Sequence, residues 1–129
     1  MKANELMIGD WLLYYDADEN QNIPVKIVSI DDDGWVFYEY PDATRQEGWC
    51  KDLNPVPLTP EILEKNGFTR FGTDYILKER HFGLENPSTP SNYFDNYWLR
   101  VSIEAVHIEF VHQLQHALRL CGIEKEITL

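Results

Sequence analysis

Pro55, Pro57 and Pro60, three prolines within six residues, limit how this chain can fold more than any other feature. Each fixes its own φ and removes a backbone donor, and each pushes the residue before it toward extended backbone. No helix can run through residues 54–60. The segment therefore reads as a boundary, with residues 1–57 on one side and residues 58–129 on the other. Each part is small for a free-standing core, so the two could share one.

Ahead of the boundary the chain reads as short strands joined by turns. Residues 8–15 pass from a Gly9-Asp10 turn into the β-prone run Trp11-Leu12-Leu13-Tyr14-Tyr15. Residues 16–22 are polar and read as a loop. Residues 25–30 are rich in β-branched side chains. Asp31-Asp32-Asp33-Gly34 has the chemistry of a hairpin tip, because Gly accepts the positive φ needed there. Residues 35–40 form the returning strand, and residues 48–50 one more short strand. This spacing predicts a small SH3-like β-barrel over residues 1–57.

Behind the boundary, Thr59 is placed as an N-cap and Pro60 as the first helical residue. Ile62 and Leu63 are expected to point inward, and Asn66-Gly67 to stop the helix after about two turns. Residues 68–77 predict two strands around Gly72-Thr73-Asp74, residues 85–96 an exposed loop, and residues 97–103 a strand. Residues 106–108 form another strand or lead into the last helix, over residues 110–121. On a helical wheel Phe110, Val111, Leu114, Ala117, Leu118 and Cys121 fall on an apolar arc. His112, Gln115, His116 and Arg119 are assigned to the polar face. Gly122 closes the helix, and residues 123–129 alternate as a short strand does. The fold class is α+β, with the second part an antiparallel sheet carrying two helices.

Charge narrows the possible partners. The chain has 22 acidic and 11 basic residues, a net charge of −11. Residues 1–57 hold 12 acids and 4 bases, net −8. Such a field repels phosphate backbones and anionic lipid, which argues against direct nucleic-acid or membrane binding. No apolar run approaches the roughly 18 residues of a membrane span. No leader is expected at the start, where Glu5 and Asp10 interrupt the apolar residues. Cys50 and Cys121 are too few for a disulfide framework, so a cytoplasmic chain with reduced thiols is expected.

Few residues offer chemistry. His112 and His116, at i and i+4, have the spacing with which a helix grips zinc, and Glu109 lies one turn upstream. A zinc hydrolase of this pattern also needs Glu directly after the first His, as general base. Gln113 stands there instead, and an amide cannot take up the proton. Arg119 would oppose a cation, so solvated histidines are the expected state. Residues 16–22 alternate oxygen side chains, but a calcium loop needs Gly and Glu where Gln21 and Ile27 stand. Asp31, Asp32 and Asp33 read as exposed turn residues. No nucleophile elbow, P-loop or dinucleotide fingerprint occurs. No catalytic residue and no cofactor are therefore expected.

The aromatic residues are the richer signal, with 4 Trp, 7 Tyr and 6 Phe in all. Trp11, Tyr14, Tyr15, Trp35, Phe37, Tyr38 and Tyr40 fall in or beside the first strands. Most are needed for a small core, but alternation along a strand turns some outward. Trp11, Tyr14, Trp35 and Tyr38 are the candidates for contact with a protein partner.

Residues 57–68 (Pro-Leu-Thr-Pro-Glu-Ile-Leu-Glu-Lys-Asn-Gly-Phe) and residues 110–118 (Phe-Val-His-Gln-Leu-Gln-His-Ala-Leu) carry a resemblance. With the Leu6–Leu12 segment, they resemble a family of short uncharacterised proteins from gut anaerobes and their phages. The resemblance implies no activity, so no residue role is transferred from it. The expectation from the residues is a non-enzymatic protein-interaction or adaptor module. One alternative is an acidic mimic of nucleic acid that occupies a basic protein. The other is a metal-binding or hydrolase role for His112 and His116.

Overall fold

The computed structural model describes residues 1–85, 97–101 and 104–129. The chain divides into two compact units, Met1–Val56 and Pro57–Leu129. Among the described residues both are built on five-stranded antiparallel sheets, and the second adds two helices, making the chain α+β.

In the first unit the strands are β1 (Trp11–Asp16), β2 (Gln21–Ile30), β3 (Trp35–Glu39), β4 (Arg45–Trp49) and β5 (Leu53–Pro55). Their order across the sheet is β4-β3-β2-β1-β5, so the last strand returns to lie beside the first. The sheet is open, with β4 and β5 at its edges. Gly34, at φ +91°, turns the chain from β2 into β3, and the Asp31 carboxylate accepts from Asp33 N and Trp35 N. The buried cluster is Leu6, Leu12, Val25, Ile27, Val36, Tyr38, Cys50 and Leu53. Leu12, Val25, Val36 and Leu53 come from different strands but share one face, as the period of two requires. The Gly-Asp of the first turn has a structural task. Asp10 is fully buried; its carboxylate accepts from Met7 N at 2.7 Å and its carbonyl from Ile27 N at 2.9 Å.

In the second unit α1 (Pro60–Lys65) precedes β6 (Thr69–Phe71), β7 (Asp74–Leu77), β8 (Phe82–Glu85), β9 (Tyr97–Val101) and β10 (Glu104–Ile108). The sheet follows chain order from β6 to β10, and α2 (Val111–Leu120) closes the unit. Thr59 caps α1, its hydroxyl accepting from Ile62 N. Both helices end in the same way. Gly67 and Gly122 take positive φ, and the next residues, Phe68 and Ile123, donate back to Leu63 O and Leu118 O. Those two apolar residues are buried, the usual companion of this cap.

Several expectations need correction. The strand β8 was not foreseen. Phe82 and Leu84 are buried while Gly83 and Glu85 are less so, an alternation too short to be read alone. Beyond Glu85 the loop expected over residues 85–96 lies outside the described residues, as do positions 102 and 103. Residues 123–129 form no strand; Ile123 and Ile127 are buried along an irregular tail.

The polar face assigned to α2 is also revised. His112 is 4 % exposed and Gln115 7 %. Gln115 stands only about 40° from Val111 on a 100° wheel, inside the apolar arc, and the buried arc extends further to His112. Cys121, expected on that arc, is exposed. It lies in the cap beyond the last helical residue, and the reversal at Gly122 buries Ile123 instead.

Candidate functional site

The inward face of the first sheet carries a tyrosine cluster. Tyr14 stacks on Tyr38 with ring centroids 6.1 Å apart, and Tyr40 meets Tyr38 edge-on at 5.9 Å. Tyr38 is 5 % exposed and belongs to the core. Burial pushes its hydroxyl up to about 12, with smaller contributions from Tyr40 and Tyr14. Burial also raises Tyr40. Its burial makes Tyr38 a packing group, and Tyr14 is half-buried beside it.

The outward face is different. Bonds at both ends of the β3–β4 ladder set its register: Tyr40 N donates to Thr44 O and Cys50 N to Gly34 O. Hydrogen-bonded and open pairs alternate in an antiparallel ladder. The even positions are thus the bonded pairs, and Trp35↔Trp49, Phe37↔Glu47 and Glu39↔Arg45 are the close, non-bonded pairs. Trp35 and Trp49 accordingly meet edge to face, with centroids 4.9 Å apart. Phe37 and Trp49 are each 42 % exposed, and Tyr15 is 47 % exposed. Trp11 lies under Lys26, whose Nζ is 5.5 Å from the ring centroid. Arg45 reaches Glu39 at 3.4 Å.

Two concavities flank β4. One of about 480 Å³ is lined by Phe37, Arg45, Gln46 and Glu47. The other, about 280 Å³, lies where Trp49 meets Asp32, Asp33, Gly34, Lys51, Lys2 and Ala3. Of the four aromatic candidates, Trp11 and Trp35 stand on this outward face, while Tyr14 and Tyr38 pack inward. Phe37 and Trp49 were not selected from the sequence. The signal was available in the alternation with Trp35, but it needed the register to be read.

The His112 and His116 rings are 5.6 Å apart, and His112 stacks on Phe110. Gln113 is occupied by a cap: its Oε1 accepts from Glu109 N at 2.7 Å and Phe110 N at 3.1 Å. Among the described residues Glu109 does not join the two histidines in a ligand set; Asp31, Asp32 and Asp33 are the group of three whose oxygens lie within 4.8 Å of one another. All three are exposed, and Asp31 is already engaged by its own turn. Cys50 is buried, its thiol donating to Met1 O. No helix among the described residues is long and apolar enough to cross a membrane. Compared with protein-family models, curated proteins and solved structures, the chain shows no match.

Proposed function

We propose that the chain is a non-enzymatic protein-interaction module, cytoplasmic, whose first unit is an incomplete SH3-like barrel, open at β4, that docks a protein partner on its outward face. The observation that carries this reading is the pairing of Trp35 with Trp49 beside Phe37, on a face the core does not use. Large aromatics exposed together are costly in water unless something covers them, and they anchor interfaces when it does. The return of β5 beside β1 supports the barrel reading. Of the 12 acids of the first unit only Asp16, Glu39 and Glu47 lie in strands, and the other nine lie in turns, loops and short helical segments, which favours an interaction module over a nucleic-acid mimic.

The test is affinity capture with the full chain and a Phe37→Ser/Trp49→Ser variant, matched by circular dichroism for folding. Proteins held in stoichiometric amount by the parent and lost by the variant are expected. Equal retention by both would remove the outward face as the interface.

A further inference from the structure

We infer that the occupant of this face is an extended, basic peptide segment that adds to the sheet as a sixth strand along β4. The inference rests on the interaction-module reading and names the partner's chemistry.

The two edges of the first sheet are not equivalent. β5 is three residues long and ends at Pro55, a short edge with a missing donor. β4 is five residues long, contains no proline, and pairs with β3 in unbroken register from Arg45 to Trp49. Because the even positions of that ladder are bonded to β3, the N–H and C=O groups of Arg45, Glu47 and Trp49 point to the open side. Within this unit, and among the described residues, β3 is the only strand beside β4. An added strand would bond to those three residues, and its alternate side chains would lie on the outward face beside them.

That register brings the added side chains against the Glu47 carboxylate and the exposed Trp49 ring. A lysine or arginine suits both, one by charge and the other by cation–π attraction. Arg45, which would repel a cation, is turned to Glu39. The same sheet face already seats one cation on a tryptophan, Lys26 over Trp11. At the Trp49 end Lys2 and Lys51 offset part of the Asp32 and Asp33 charge. The net −8 of residues 1–57 nevertheless draws in a basic segment and turns away an acidic one.

The experiment uses the full chain and a fluorescent octapeptide with arginine and threonine alternating, read by anisotropy and by Trp emission. A peptide with glutamate in place of arginine is the comparison. Saturable binding of the arginine peptide alone is expected, weakening as salt rises from about 50 to about 300 mM. Glu47→Pro removes an outward donor without touching the bonds to β3, and Trp49→Ala removes the ring. Each is expected to weaken binding about tenfold, and Glu47→Gln about threefold. An arginine peptide N-methylated at alternate residues tests the same bonds on the unaltered protein, and it should bind at least about tenfold more weakly. Equal binding of both charged peptides, or full binding of the N-methylated one, overturns the inference. If the arginine peptide fails to bind while a protein is still captured through Phe37 and Trp49, the basic strand is refuted and the interaction reading stands.

Discussion

Replacing Asn66 with alanine should unfasten the end of the chain from the second unit. Asn66 is 5 % exposed, and its amide is saturated. Nδ2 donates to Ile62 O and to Thr128 O, each at 2.7 Å, and Oδ1 accepts from Thr128 N at 2.8 Å and from the Thr128 hydroxyl at 3.3 Å. The contact joins residues 62 positions apart. Nearby, Lys65 Nζ donates to Leu129 O, and Ile127 is buried. Three short hydrogen bonds at about 1 kcal/mol each give a loss of about 3 kcal/mol. Thr128 is exposed, so water can take over part of its bonding, and about 2–3 kcal/mol is the expected net cost. For a unit of this size that lowers the melting midpoint by roughly 10–15 °C.

The assay is thermal unfolding followed by far-ultraviolet circular dichroism, repeated in a chain lacking residues 128–129. If Asn66 acts through the tail, the substitution should cost less than half as much in the shortened chain, since the two changes share an interaction. A shift below about 2 °C in the full chain would refute the clamp. Equal shifts in both chains would show that Asn66 matters only as the end of α1.

Three further outcomes are expected. Gln113→Ala should cost about 1–2 kcal/mol in urea unfolding through the lost cap, whereas Gln113→Glu should keep the cap and gain no zinc-dependent peptidase activity. Gly34→Ala should cost about 1–2 kcal/mol, because the site has φ +91° and the new methyl would lie 3.4 Å from Cys50 Sγ; equal stability by urea unfolding would contradict this. Tyr38 ionises only near pH 12 when folded and near 10 when unfolded, so the unfolded chain loses its proton first. Stability should therefore hold below about pH 10 and fall as pH rises from there toward 12, and Tyr38→Phe should flatten that slope.

Local chemistry was legible in the sequence; its partners across the chain were not. Thr59 and Pro60 begin α1, Gly67 and Gly122 end the two helices, and Asp31 to Gly34 turns β2 into β3, all as their residue types dictate. These features depend on sterics and hydrogen bonds within four or five residues. The outward aromatic face was half legible. Of the four aromatics selected, Trp11 and Trp35 stand on it while Tyr14 and Tyr38 pack inward, and Trp49 joined Trp35 only through the ladder register. A period of two assigns residues to two faces without saying which face is covered.

The histidine pair teaches the same point. Its spacing could be read from the sequence, but the burial of His112 and the use of Gln113 as a cap could not. What the sequence by itself determined is where elements start, stop and turn, because backbone restriction acts at short range. Only the tertiary structure decided that β5 lies beside β1, that Asn66 holds Thr128, and that Cys121 is exposed while Ile123 is buried. Those outcomes follow from packing between distant segments, where many residues compete for each buried position and no local pattern selects the winner.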